Sequence, residues 1–246
     1  MSQKSKIEWT ESTWNPVTGC DKVSAGCENC YASRMASRLL KMGNAKYANG
    51  FKLTLHDRCL NDPLSWKKPM HIFVNSMSDL FHKDIPLAYI QKVFEVMNSC
   101  SHHTFQVLTK RAERLGNIAD KVTWTKNIWL GVTIENEVSK DRLEHLRGMP
   151  AKIKFISFEP LLDDVGVINL KDIDWAIVGG ESGWKARTMK EEWVVNIKNQ
   201  CEHHGTLFYF KQWGGVNKKK SGRLLLGRTW DDTPTKNVVS KLPSVM

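Results

Sequence analysis

The 246-residue sequence has no apolar run approaching the ~20 residues a membrane-spanning helix needs. Its opening stretch, MSQKSKIEWTES, lacks the apolar block of a secretory signal. A cytoplasmic protein without a membrane partner is therefore expected. No self-similarity recurs at the ~20 to 50 residue periods of solenoids, and no stretch is of low complexity. Apolar residues are not scarce, since 41% hydrophobic against 25% charged residues suffices for a sizeable core and argues against disorder except at the ends. What the chain has too little of is acid. Against 36 lysines and arginines stand 26 aspartates and glutamates, a formal charge of +10. Such an excess favours polyanionic partners through counterion release and steering, or else makes a solvated basic surface that aids solubility.

Short runs rich in β-branched and aromatic residues recur along the chain: FKLTLH (51–56), HIFVNS (71–76), TFQVLTK (104–110), NIWLGVTIE (127–135), KFISFEP (154–160), DWAIVGGES (174–182) and TLFYFKQWG (206–214). Several are apolar almost throughout, as parallel strands covered on both faces are. Helical spacing lies between many of them, with Ile90, Val93, Phe94 and Met97 on one face and Trp193, Val194, Ile197 and Cys201 on another, ahead of a stop at Gly205. Alternation of this kind predicts βαβ units in an α/β fold, a complete or partial (β/α) barrel. Residues 1–215 are expected to form it, with 216–246 as a short C-terminal extension in which LLLGRTW makes a hairpin or turn.

Each apolar run ends in polar or ionisable residues, and the C-terminal strand ends of such a barrel converge on one mouth, where active sites sit. That places Asn75, Ser76, Asp79, Lys110, Arg111, Glu135, Asn136, Glu159, Glu181, Lys211, Gln212 and Trp213 as candidates. The alternative is that polar residues simply begin loops.

Of the six cysteines, Cys59, Cys100 and Cys201 are scattered and read as ordinary thiols. The other three stand together in WNPVTGCDKVSAGCENCYASRMASRLL, six residues between Cys20 and Cys27 and two between Cys27 and Cys30. A helix pattern starts after Cys30, so the trio occupies a loop between a first strand and a first helix. In a reducing compartment such a cluster is better explained by metal or redox chemistry than by disulfides. Three thiolates suit an iron–sulfur cube that leaves one iron open, on which S-adenosylmethionine (SAM) can be bound and reductively cleaved to a deoxyadenosyl radical. A structural zinc site wants four ligands, and His56 and Cys59 are the nearest further candidates.

The blocks WNPVTGC with GCENCYA, WKKP, FVNSMSDLFH, FQVLTKR, WLGVTIEN, FEPLL, VGGESG, FKQWGG and GRTWDD span nearly the whole chain. In this order they closely resemble the phage-associated three-cysteine-motif family, whose members look like compact radical SAM proteins. The resemblance implies a barrel of the radical SAM type, a four-iron, four-sulfur cluster on Cys20, Cys27 and Cys30, and SAM as cosubstrate. The first gap departs from the commonest radical SAM pattern, which has three residues rather than six.

With SAM as cosubstrate, Asn75, Ser76 and Asp79, together with Glu135 and Asn136, are candidates for its methionyl and ribose parts, and Gly179, Gly180 and Glu181 for close backbone approach to it. Tight turning explains the glycines equally well. Lys110, Arg111, Glu159, Lys211, Gln212 and Trp213 are candidate substrate contacts, with Trp213 available to stack on a base. The same lysines and arginine could instead pair with Glu159 and Glu181 in a structural ion-pair network. The expected activity is base modification or photoproduct repair on nucleic acid or a nucleotide, needing an electron donor and open to a partner protein. Two other classes stand beside it: a barrel hydrolase using Glu135, Glu159 and Glu181, and a metal-stabilised nucleic-acid binder without catalysis.

Overall fold

The computed structural model describes residues 3–5 and 7–234; residues 235–246 of the expected extension lie outside the described residues. Ten strands are present among the described residues: β1 (Gln3–Lys4), β2 (Ser12–Trp14), β3 (Val17–Thr18), β4 (Thr54–Leu55), β5 (His71–Val74), β6 (Thr104–Thr109), β7 (Ile128–Thr133), β8 (Ile153–Phe158), β9 (Trp175–Gly179) and β10 (Leu207–Gln212). Seven of them, in the order β2-β5-β6-β7-β8-β9-β10, form a parallel sheet, with β1 antiparallel on the β2 edge. β2 and β10 do not pair, so the curled sheet stays open, a partial (β/α) barrel.

Six of the seven runs seen in the sequence are barrel strands. The seventh, residues 51–56, is not: β4 pairs with β3 in a separate two-stranded ribbon beside the mouth. The first barrel strand is instead β2, whose three residues are too few to show a period.

The strands read as nearly continuous apolar runs because alternate side chains enter two different cores. On the concave face Phe73, Trp129, Phe155, Trp175, Ile177 and Tyr209 pack with Trp9. Their neighbours Ile72, Val74, Ile156, Ala176, Val178, Phe208 and Phe210 face the helices. Gly131 on β7 makes room for the Phe155 ring, since a Cβ there would stand 2.4 Å from it. Truncating a ring as enclosed as Phe155 would cost about 3–5 kcal/mol.

α1 (Tyr31–Lys41) buries Ala32 and Ala36 with Tyr47 and Met77 in a small cluster of its own, and the helices that cover the outer face include α2 (Asp57–Leu60), α3 (Leu87–Ser99), α4 (Ala112–Ile118), α5 (Arg142–Arg147) and α6 (Glu191–His204). α3 buries Ile90, Val93, Phe94 and Met97, and α6 buries Trp193, Val194, Ile197 and Cys201. α6 stops at Gly205, which takes a left-handed φ of 70° and returns its N–H to Cys201 and Glu202. Beyond β10 the chain doubles back on it: Phe210 N–H donates to the Trp230 carbonyl, Leu225 is buried, and Leu225 and Arg228 bridge in a tight turn. No helix among the described residues is long and apolar enough to cross a membrane.

Candidate active site

Because side chains alternate along the pleat, the last concave-facing layer of the sheet is polar: Thr133, Ser157 and Lys211 stand one layer above Gly131, Phe155 and Tyr209. Above it opens a cleft of about 530 Å³. Cys20, Cys27 and Cys30 all line this cleft, with Asn75, Ser76, Asp79, Lys110, Glu159, Gly180, Glu181 and Lys211. Trp9, Phe73 and Leu108 form its apolar floor.

The cysteine loop leaves β2 and is fixed residue by residue. Gly19 adopts a φ of +82°, and a Cβ there would meet the Lys52 carbonyl at 2.2 Å, so only glycine lets the loop cross the ribbon. Its N–H donates to Met77 O (3.0 Å), and Cys20 N–H donates to Phe51 O (3.3 Å). A single 3-10 turn, Ala25–Cys27, carries the second thiol, and Cys30 stands immediately before α1.

Three strand ends grip this loop. From beyond β7, the Glu135 carboxylate, 1% exposed, accepts from Ser24 Oγ at 2.7 Å and from Lys110 Nζ at 2.7 Å, with Arg142 Nη1 at 3.8 Å. It lies directly under Gly26, where a Cβ would stand 2.4 Å from Oε1. Burial opposes the charge on Glu135, but Lys110, Ser24 and Arg142 outweigh it and hold the carboxyl below its usual range. From beyond β9, Glu181 accepts from Asn29 Nδ2 (3.0 Å) and from the Arg187 guanidinium (2.6 and 3.0 Å), and Arg187 also reaches Ala25 O at 2.8 Å. Burial likewise opposes ionisation of Glu181 and is overcome by the Arg187 side chain and N–H and by Asn29. From beyond β6, Arg111 Nη2 lies 3.7 Å from Cys20 Sγ and donates to Asp21 O at 3.2 Å. Burial and then Asp79 push the Cys20 thiol up to about 11, with Arg111 acting in the opposite direction.

Asp79 is fully engaged, accepting from Thr109 Oγ1 (2.8 Å), Lys110 N–H (3.0 Å) and Phe81 N–H (3.0 Å). It splices the β5 and β6 ends together. Asn75 differs. It is 3% exposed, sits at a φ of +58°, and uses Oδ1 to accept from Val17 N–H at 3.4 Å. Its Nδ2 is buried with no partner among the described residues, at the cleft wall. That is a donor waiting for an acceptor. Across the cleft Lys211 Nζ is 2.5 Å from Glu159 and 4.0 Å from Glu8.

Several candidates from the sequence are placed elsewhere. Asn136 caps the turn Glu137–Asp141 in a reciprocal box with Ser139. Gly179 faces Glu159 and Lys211 from the strand without reaching the cleft wall. Gln212 is spent on Gly180 O, Ser182 Oγ and Gly214 N–H. Trp213, expected to stack on a base, packs on Phe210 with ring centroids 4.8 Å apart and donates Nε1 to Leu224 O. Glu135 and Arg111 serve the loop from behind rather than lining the cleft. Gly180 does line it, and a Cβ there would strike the Trp213 carbonyl at 2.1 Å. Arg34 and Arg187 anchor the cysteine loop and α1, and nothing in the sequence spacing marks them. Asn29, which with Gly19 and Gly26 suits the cysteine motif to a tight wrap, also anchors it, through Glu181 and the Lys185 carbonyl.

The zinc alternative can be tested on spacing. Thiolates sharing one tetrahedral zinc at ~2.3 Å lie roughly 3.8 Å from each other. Among the described residues the group that brings three ligand atoms within 4.8 Å of one another is Asp21, His82 and Asp84, which contains no cysteine. There His82 already uses both ring nitrogens, on Asp21 (3.1 Å) and on the Asp84 N–H (3.2 Å). His56 pairs with Thr18 (2.7 Å), and Cys59 with Lys46 (3.4 Å). The three thiols line one cleft wall, and at least one pair of them stands farther apart than a shared tetrahedral ion requires.

No curated protein matches the sequence. Solved structures do match the fold. A tyrosine-to-phenylalanine variant of spore photoproduct lyase superposes with a TM-score of 0.57 at 11% identity, covering 87% of this chain and 79% of that one. A cysteine-to-alanine variant gives 0.57 at 12%, covering 86% and 78%. A double variant of the lyase, with bound AdoMet and dinucleoside spore photoproduct, gives 0.50 at 10%, and there the chain covers 83% of itself but 64% of the lyase chain. At these identities the likeness is one of fold: an open, partial (β/α) barrel. A family model described as "Protein of unknown function (DUF5131)" matches residues 4–234, so the chain belongs to the DUF5131 family.

Proposed function

We propose that this protein is a cytoplasmic radical SAM enzyme that acts on nucleic acid or a nucleotide, by base modification or photoproduct repair. The observation that carries the reading is the convergence of Cys20, Cys27 and Cys30 on one cleft whose wall also offers the unpartnered Asn75 amide. The three thiols would hold a four-iron, four-sulfur cluster, one iron left free for SAM. The chemistry this pair supplies is one-electron reductive scission of the sulfonium C5′–S bond to methionine and a deoxyadenosyl radical, the electron coming from an external donor.

The chain's own residues then bind and orient. Asn75 Nδ2 donates to an oxygen of the bound cosubstrate, and the Ser76 segment is held in place by Asn15, which accepts from Ser76 Oγ (3.2 Å) and Met77 N–H (3.0 Å). Trp9, Phe73 and Leu108 exclude water from beneath the reacting centre. Lys211 and Glu159, facing the cleft as an ion pair, present one donor and one acceptor to a substrate. Glu135, Glu181, Arg111 and Arg187 keep the cysteine loop in register. Residues 1–215 act as the catalytic barrel and 216–246 as an extension, and the phage-associated three-cysteine proteins are the relatives whose chemistry it shares.

The hydrolase reading is weaker on the same geometry. A general acid needs a carboxyl with a raised pKa. Glu135 and Glu181 are instead held ionised by cations, and Glu159 is paired with Lys211. Anaerobic reconstitution with iron and sulfide, followed by reduction with dithionite in the presence of SAM, tests the proposal. The expected result is 5′-deoxyadenosine and methionine in equal amounts, abolished by Cys30→Ala. Turnover without cysteine dependence would overturn it.

A further inference from the structure

Trp213, the tryptophan expected to be available for stacking on a base, is engaged with Phe210 and the Leu224 carbonyl. Another tryptophan is free for that role. Trp184 follows VGGESG on the loop between β9 and α6 and is 70% exposed, at the rim beside Ser182 and Asn29 of the cleft wall. Its indole stands in water on the same rim as the partly exposed Tyr31 and Met35, and exposed apolar groups gathered at one place mark a contact site more than a lone one does.

The indole does not hang on a slack loop. Gly183 and Lys185, on either side, take φ values of +104° and +64°, which turn the tip outward. Arg34 of α1 donates Nη1 to the Trp184 carbonyl (3.0 Å) and Nη2 to the Ser182 carbonyl (2.6 Å). Asn29, inside the cysteine loop, donates to the Lys185 carbonyl at 3.1 Å. The tip is thus tied to both the cysteine loop and the first helix. Lys185 Nζ lies 4.7 Å from the indole centroid and leaves the other face open.

The helix beside it carries charge of one sign, while the exposed Glu28 of the cysteine loop is paired with Arg187. α1 carries Arg34, Arg38 and Lys41 and no acidic residue, and Tyr31 at its start and Met35 after Arg34 are 49% and 42% exposed on the cleft side. Cations interleaved with exposed aromatic and thioether groups, next to a rigidly held indole, fit a strand of phosphates with unpaired bases. A duplex would keep its base faces stacked away from Trp184, and chemistry on a base requires it outside the stack.

Resting on the reading above and narrowing its substrate class, we propose that Trp184 and the basic face of α1 bind a single-stranded or locally unpaired nucleic-acid segment, one base stacked on the indole and the next led into the cleft. The test is fluorescence anisotropy of the full chain, purified anaerobically, with a labelled single-stranded pyrimidine oligonucleotide and with the same strand annealed to its complement. Trp184→Ala should weaken the single strand about 5- to 150-fold, while Trp184→Phe stays within a few-fold of wild type. Arg38→Glu should flatten the salt dependence. An unchanged thermal midpoint for Trp184→Ala controls for folding.

Equal affinity of Trp184→Ala and wild type would overturn the proposal, as would preference for the duplex. So would a Trp184→Ala effect confined to self-association or to a protein partner in sedimentation. The two readings fail separately. A wild-type protein that cleaves SAM but binds no oligonucleotide refutes the stacking surface alone. One that binds through Trp184 without cleaving SAM refutes the radical chemistry alone.

Discussion

Replacing Glu135 with alanine separates two roles for the same residue. If Glu135 buttresses the cysteine loop, its loss strands Lys110 and Arg142, whose side chains are 20% and 11% exposed, and leaves Ser24 Oγ without its acceptor. Breaking a buried ion pair by removing one partner costs about 3–5 kcal/mol. The partial exposure of Lys110 lets water screen what remains, which places this variant near the lower end, at about 3 kcal/mol. In a chain of this size each kcal/mol moves the midpoint by roughly 2–4 °C, so a fall of about 6–12 °C is expected. Urea unfolding of anaerobically purified Glu135→Ala, Lys110→Met and the double variant, as a double-mutant cycle, measures it. The double variant should recover more than about 1 kcal/mol of the summed loss. Stability within about 0.5 kcal/mol of wild type, with SAM affinity reduced instead, would refute the buttress and restore Glu135 to the cofactor contacts expected from the sequence.

Cys20→Ala, Cys27→Ala and Cys30→Ala should each abolish iron retention, whereas Cys59→Ala, Cys100→Ala and Cys201→Ala should keep it, as read by colorimetric iron assay after reconstitution. Gly26→Ala should cut iron loading several-fold, because the new methyl meets a Glu135 carboxylate that three partners hold still; normal loading would show the loop to be more yielding than its contacts imply. Glu135 and Glu181 both have depressed folded-state pKa values. Their contribution is present above the unfolded carboxylate value of ~4.3 and is lost as pH falls through the folded values, since the unfolded chain binds the extra protons there. The urea midpoint should therefore hold down to about pH 5 and drop below it, with a shallower drop in Glu181→Gln.

How much of this was legible in the sequence follows from what each signal measures. Periodicity marked β5 to β10 because both faces of each are buried, and it placed α3 and α6 by their apolar stripes. It mistook residues 51–56 for a barrel strand, since a short alternating run looks alike in a barrel and in a ribbon, and it had nothing to read in the three residues of β2. The cysteine spacing located the cleft, because a loop between a first strand and a first helix opens at the C-terminal strand ends. The polar residues after each strand were harder. One position decides whether such a side chain points into the mouth, as Ser157 and Lys211 do, or ties the next turn, as Asn136 and Gln212 do. Trp213 and Trp184 are indistinguishable by composition. The positive φ values at Gly183 and Lys185, the clamp of Arg34 and the bond from Asn29 to the Lys185 carbonyl hold the second one out in water.

The most direct check on the central claim is metal analysis: iron, acid-labile sulfide and zinc per chain in anaerobically purified protein, with Cys30→Ala alongside. A brown wild-type protein containing iron and sulfide in equal amounts, and a colourless variant with neither, is the result expected. Stoichiometric zinc in a colourless wild type, or iron that Cys30→Ala leaves in place, would contradict it.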